Sequence, residues 1–106
     1  MTNKERMSKI GETMDELVKL GFVRNMCNIT TDDGKEIGID CFVSSQKLNV
    51  YDDGMDETVL GYVYIVFKFE VCEMYYQRNE NDDLRWLDNY KPEDLLDKVK
   101  ELINDK

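Results

Sequence analysis

The stretch that decides the fold is 58–76, TVLGYVYIVFKFEVCEMYY, which is dense in β-branched and aromatic residues. Such residues favour a packed strand over a helix, so we predict that this stretch is the longest, most central strand. Its apolar alternation fails near Val71, where we expect a bulge or an exit at the rim of the sheet, and Gly61 is a second place for a break. The residues predicted to face the core are Val63, Ile65, Phe67, Phe69 and Val71.

Shorter strands precede this stretch and are separated by acidic turns. We predict strands over about 22–31, over about 37–43 and from Leu48 to Val50. In the second of them, apolar residues at 37, 39, 41 and 43 alternate with other residues, as is typical of a strand with one buried face. The Asp-Gly pair at 33–34 predicts a two-residue type I′ turn, and the pair at 53–54 predicts another turn.

An amphipathic helix is predicted at each end of the chain. Over about 3–20, apolar residues at 7, 10, 14, 17 and 18 recur every three or four positions. Thr2 or Asn3 can cap the start of this helix, and Gly21 fits the left-handed position after its end. The second helix is predicted from Pro92 to about residue 103, because proline is favoured in a first helical turn and two acidic residues follow it.

The segment between these predicted strands and the second helix is polar and acidic. We interpret 77–89 as a solvated loop in which Leu84, Trp86 and Leu87 fold back onto the body. The element order is then α-β-β-β-β-α, a single α+β domain over residues 1–106. We expect a four-stranded antiparallel meander with both helices on one face. Its two open edges are compatible with a homodimer.

The charge of the chain is strongly negative and uneven. The net charge is −9, with +1 over residues 1–31 and −10 over residues 32–106. Proteins that bind a phosphate backbone need clustered lysine and arginine, so this field argues against nucleic acid as a direct ligand. It favours a partner protein with a basic surface, because opposite fields steer association.

Several features favour a cytoplasmic protein without a membrane role. The longest mostly apolar stretch, 59–69, is too short to cross a bilayer as a helix. The N-terminus leads into an amphipathic segment and not into the apolar core of a signal peptide. Cys27, Cys41 and Cys72 are odd in number and form no C-x-x-C pair, so we expect three buried, reduced thiols.

Histidine is absent from the sequence, which removes the usual general base and the Ser-His and Cys-His mechanisms. We therefore predict a non-enzymatic protein. A carboxylate-based enzyme is retained as an alternative, with Asp40, Glu70 and Glu73 as candidates, although we expect Asp40 and Glu70 to face solvent.

No cofactor or metal is predicted. The sequence contains no nucleotide-binding glycine motif, and zinc would need a fourth soft ligand. The acidic turns at 52–57 and 79–83 lack the glycine position and flanking helices of a helix-loop-helix calcium site. A divalent cation in one of these turns is the alternative.

The most informative feature is a set of tyrosines beside acidic turns, since one small core cannot hold them all. Tyrosine and tryptophan anchor many interfaces, although tyrosines also pair across strands for stability. We predict an acidic interaction domain, with nucleic-acid mimicry by an inhibitor as its sharper form; small acidic inhibitors of phages and mobile elements resemble it in size and charge. The alternative is a chaperone or adaptor that binds a segment at a sheet edge or helix groove. The predicted partner-binding residues are Asp52, Asp53, Asp56, Glu57, Tyr62, Tyr64, Glu80, Asp82, Asp83 and Trp86.

Overall fold

Six strands lie between two helices, and a computed structural model describes residues 2–68 and 71–104 apart from the side chains of Cys27 and Ile29. The fold is α+β with an antiparallel sheet, as predicted, but it has six strands and not four. The elements are α1 (Asn3–Lys19), β1 (Phe22–Thr30), β2 (Glu36–Ser44), β3 (Leu48–Asp52), β4 (Glu57–Phe67), β5 (Cys72–Gln77), β6 (Arg85–Tyr90) and α2 (Pro92–Asn104).

The sheet is a meander in the order β1-β2-β4-β5-β6, with β3 also paired to β4. The end of β2 pairs with Tyr64 and Ile65, while β3 pairs with the first half of β4. Ser44 lies between the two pairings. Its hydroxyl donates to the Gln46 carbonyl at 2.7 Å and accepts from the Val63 amide at 3.0 Å. This hydroxyl satisfies backbone groups where the ladder is interrupted.

The predicted long strand over 58–76 is wrong, because the chain reverses within it. β4 ends at Phe67 and β5 begins at Cys72, and the Lys68 amide donates to the Val71 carbonyl at 2.9 Å. The pattern break near Val71 therefore marks a hairpin and not a bulge; the predictions for Phe69 and Glu70 lie outside the described residues. Gly61 lies inside an unbroken β4.

The predicted loop over 77–89 is also wrong in part, because its second half forms β6. This strand pairs with β5 through Tyr76–Arg85 and Tyr75–Trp86, and a register irregularity follows between Met74 and Tyr75. Leu84 and Leu87 do fold back, onto opposite sides of the sheet, but the prediction is wrong for Trp86, which stays exposed. The polar composition of β6 hid the strand, since most of its residues are exposed.

Both helices pack on one face of the sheet, as predicted. Phe42, Ile65 and Met74 are partners in successive strands and so project from the same face. They belong to the main core together with Leu17 of α1 and with three residues of α2. The α2 residues are Leu95, Val99 and Leu102.

Both helices are confirmed with the predicted ends, but the buried residues of α1 are not all those predicted. The Thr2 hydroxyl accepts from the Glu5 amide at 3.2 Å, and Gly21 has a φ of 98°, so both caps are confirmed. The apolar stripe of α1 is narrower than predicted, because Met7 and Val18 are exposed and Thr13 is buried instead. The helix buries only the side that contacts α2 and the sheet.

The first hairpin does not use the predicted type I′ turn. The Thr31 amide donates to the Lys35 carbonyl at 2.8 Å, and the Gly34 amide donates to the Thr31 carbonyl at 2.9 Å. Only Gly34 in this loop has a positive φ, 84°. These contacts define a three-residue loop, a type I turn followed by a left-handed glycine. In the second turn the positive φ belongs to Asp56 and not to Gly54.

The helix-free face of the sheet has a small core of its own. Cys41 and Val66 are buried there, and Leu84 and Tyr64 pack against them. The prediction that β2 has one buried face is therefore wrong, because Phe42 on the opposite parity is buried in the main core. The end of β2 lies inside the sheet, so both of its faces are covered.

Candidate functional site

An apolar row crosses the helix-free face from one edge of the sheet to the other. Its members are Cα partners in successive strands, and they lie on the face opposite to the helices. At its two ends Val23 is 57% exposed and Trp86 is 53% exposed. We call it the transverse row; it consists of Val23, Val43, Tyr64, Tyr75 and Trp86.

A groove of about 470 Å³ lies beside the transverse row and shares Tyr64 with it. Four carboxylate residues line it, and none of its lining residues is basic. Its remaining lining is largely amide and tyrosine, which can donate or accept hydrogen bonds. We call it the acidic groove; it is lined by Asn25, Met26, Asn28, Glu36, Tyr64, Gln77, Glu80, Asp82, Asp83 and Leu84.

A chain of hydrogen bonds holds residues 79–83, which we call the acidic loop, against the sheet. The Tyr64 hydroxyl donates to Oε1 of Gln77 at 2.9 Å. The Nε2 of Gln77 donates to the carbonyls of Asp82 at 2.6 Å and of Glu80 at 3.2 Å. A side chain of β5 thus fixes the loop backbone and leaves the carboxylates of this loop on the exposed side. Fixed charges lose less entropy on binding than mobile ones.

Four of the predicted partner-binding residues therefore meet at the acidic groove: Tyr64, Glu80, Asp82 and Asp83. The predicted residues of the turn between β3 and β4 do not line this groove. Glu57 forms an ion pair with Arg78 at 2.6 Å, and Asp56 accepts a hydrogen bond from the Tyr51 hydroxyl. Tyr62 lies on β4, and the Nζ atom of Lys47 is 5.7 Å from the centroid of its ring. Asp53 is exposed on the turn. Trp86 lies on the row.

Asp52, the remaining member of the predicted set, is a structural residue and we remove it from the partner-binding set. It is 5% exposed, and its Oδ2 accepts from the Tyr76 hydroxyl at 2.5 Å and from Nε of Arg85 at 3.2 Å. The hydrogen bond from Tyr76, followed by that from Arg85, lowers the pKa of the Asp52 carboxyl. Burial, followed by the bond to Asp52, raises the pKa of the Tyr76 hydroxyl. The carboxylate joins β3 to β5 and β6.

We expect Asp52→Asn to lower the thermal midpoint at pH 7 and to lose this effect in acid. Because the folded state lowers the Asp52 pKa, the ionised carboxylate stabilises the fold at neutral pH. This contribution begins to shrink as the pH falls below the unfolded value of about 3.9 and is lost as the pH falls through the lower folded pKa. Thermal melts between pH 7 and pH 3 measure the difference between variant and wild type. Asp53→Asn, an exposed neighbour, is the control and should melt close to the wild type throughout. A difference that persisted unchanged at pH 3 would contradict the assignment.

The other candidate groups for chemistry lie apart from one another. Asp40 is exposed, as predicted, and pairs with Arg24 at 3.3 Å. Glu73 is half-buried, contacts Lys68 at 3.0 Å and accepts from the Tyr75 hydroxyl at 3.1 Å. Glu70 lies outside the described residues.

The cysteines follow the prediction where the structure describes them. Cys41 and Cys72 are both buried, and the prediction for Cys27 falls on a side chain outside the description. Burial, with a smaller contribution from the charge of Glu93, raises the pKa of the Cys72 thiol to about 12. A thiol with that pKa has almost no thiolate at neutral pH and is unreactive.

Sequence reasoning missed Glu36, Asn25, Asn28 and Gln77 of the acidic groove. The first three lie on the hairpin of β1 and β2, far in sequence from the loop that they face. A depression of about 520 Å³ on α2 is slightly larger, but its lysines and acidic residues are mixed on one helix surface. It therefore presents no field of a single sign.

Among the described residues, no three histidine, cysteine or acidic side chains are grouped closely enough to hold a metal ion. No helix within 2–68 and 71–104 is long and apolar enough to span a membrane. Comparison of the chain with protein-family models, with curated proteins and with solved structures finds no match.

Proposed function

We propose that this chain is a non-enzymatic cytoplasmic interaction domain whose acidic groove binds the basic surface of a partner protein. The observation that carries the proposal is the meeting of Glu36 from the first hairpin with Glu80, Asp82 and Asp83 from a distant loop around one groove without a basic lining residue. Residues scattered in sequence form a field of one sign at one place. A basic protein surface is the complementary ligand.

The charge of the whole chain supports the same conclusion. A net charge of −9 attracts a cationic surface over a distance of about 8 Å at physiological ionic strength. The same field repels DNA and RNA, since their phosphates carry the same sign. A protein with this field would compete with nucleic acid for a basic binding surface and would act as an inhibitor by mimicry.

The proposal is tested with a fluorescein-labelled peptide of alternating arginine and serine, measured by fluorescence anisotropy. We compare the wild type with Glu80→Gln/Asp82→Asn/Asp83→Asn, which keeps side-chain size and removes three groove charges. The substitution should weaken binding about tenfold, as expected for three exposed charges at an interface. Binding of the wild type should also weaken steeply as salt is raised.

The matched control is Glu12→Gln/Asp15→Asn/Asp97→Asn, three exposed helix residues whose substitution gives the same net charge. It should bind the peptide within about twofold of the wild type, because the change lies outside the groove. Equal losses in both variants would show that only net charge matters and would overturn the groove. Absence of any salt-sensitive binding would overturn the proposed function.

An adaptor that binds a partner segment at a sheet edge is the second candidate. The observation in its favour is β1, a nine-residue edge strand that pairs with only one other strand in the described part of the chain. Exposed edges of that length offer backbone groups to another strand. This function predicts binding with weak salt dependence and without an effect of the groove substitutions.

A further inference from the structure

The transverse row and the acidic groove form one composite surface. Tyr64 belongs to both, and its hydroxyl begins the hydrogen-bond chain through Gln77 that holds the acidic loop. Leu84, which follows that loop, lines the groove and packs against the small core of the helix-free face. A molecule that occupies the groove therefore lies next to the row.

The row itself is open to a partner. Both helices pack on the opposite face, and the ends of the row, Val23 and Trp86, remain more than half exposed. Tryptophan and tyrosine bury large areas with little loss of side-chain freedom, and for this reason they dominate binding energy at many interfaces. The row holds three such residues, Tyr64, Tyr75 and Trp86, of which the two tyrosines are half-buried, so it is matched by an extended or helical segment with regularly spaced apolar side chains.

A segment that is entirely apolar or entirely basic does not complement both the transverse row and the acidic groove. An entirely apolar segment would desolvate the groove carboxylates without pairing them, which is costly. An entirely basic segment would leave Trp86 and Val23 in water. Building on the proposed function, we infer that the partner is a segment that combines basic with large apolar side chains, its basic groups on the acidic groove and its apolar groups on the transverse row.

Two labelled peptides of equal charge test this inference, one of alternating arginine and serine and one of alternating arginine and leucine. The wild type should bind the arginine–leucine peptide about tenfold more tightly. Trp86 is the only tryptophan in the chain, so its fluorescence reports on the row directly. Its emission should shift to the blue with the leucine peptide and stay unchanged with the serine peptide.

Trp86→Ala should remove the preference for the leucine peptide and leave the affinity for the serine peptide within twofold, roughly, of the wild type. Leu60→Ala is the control. Leu60 of β4 is as exposed as Trp86 and lies on the same helix-free face, but it is not a member of the transverse row. The control variant should keep the preference. Circular dichroism confirms that both variants fold.

The outcomes separate the inference from the proposed function. If the serine peptide binds through the groove and the leucine peptide binds no more tightly, the inference is overturned and the proposed function stands. A preference that survives Trp86→Ala places the peptide elsewhere, such as the edge of β1, and also overturns the inference. If binding of the serine peptide ignores the groove substitutions, the proposed function fails and the composite partner fails with it; if only binding of the leucine peptide ignores them, the inference alone is overturned.

Discussion

Ile65→Ala should lower the free energy of unfolding by about 3–4 kcal/mol, the loss found when a buried aliphatic side chain leaves a cavity. Ile65 is 0% exposed on the central strand β4, and its partners Phe42 and Met74 belong to the same main core. Domains of this size have a total stability of about 5–15 kcal/mol, so the variant should lose a large share of it. Urea denaturation measures the change, and the slope of the transition should stay that of the wild type.

The control for this prediction is Leu60→Ala on the same strand. Leu60 is 54% exposed on the helix-free face, so its truncation should cost only about 0.5 kcal/mol. The difference between the two losses in free energy of unfolding measures how much more the helix-covered face of β4 contributes to stability than its helix-free face. Similar losses in both would show that the main core does not lie between the helices and β4.

Gly61→Val should destabilise the protein by about 2 kcal/mol and lower the thermal midpoint by roughly 10 °C. A Cβ at position 61 would lie 3.0 Å from the Gln77 carbonyl oxygen and 3.2 Å from Cδ2 of Tyr76. The carbonyl belongs to the backbone of β5, and Tyr76 is fully buried, so neither yields easily. Valine favours strands by up to about 1 kcal/mol, which is too little to offset this crowding.

Gly11→Ala is the matched glycine control. Gly11 lies on the exposed side of α1, and no atom lies within 4 Å of an added Cβ. Alanine in place of glycine in a helix interior should stabilise the fold by about 0.5–1 kcal/mol. Thermal melts of both variants test the pair of predictions, and a Gly61→Val variant as stable as the wild type would contradict the close approach of β5.

Only part of the candidate site could be predicted from the sequence, because sequence patterns report on neighbouring residues. The acidic loop and Tyr64 could be identified because loop composition and strand parity depend on neighbouring residues. The involvement of Glu36 could not, because its position at one groove with Glu80, Asp82 and Asp83 depends on how the first hairpin and the loop are placed in the fold, which neither segment encodes locally. The burial of Asp52 could not be predicted for the same kind of reason, since its carboxylate is bound by Tyr76 and Arg85, which follow it by 24 and 33 positions.

The amino-acid sequence by itself determined both helices, the caps of α1, the first three strands and the acidic character of the loop at 79–83. These features depend on side-chain periodicity, capping and composition, which act over a few residues. Only the tertiary structure decided that 58–76 is a hairpin and that β6 exists. No glycine or proline marks the reversal after Phe67, and β6 is a mostly exposed, polar strand. Each depends on pairing with β5, whose partners lie up to 15 positions away in β4 (Tyr62–Gln77) and up to 18 positions away in β6 (Cys72–Tyr90).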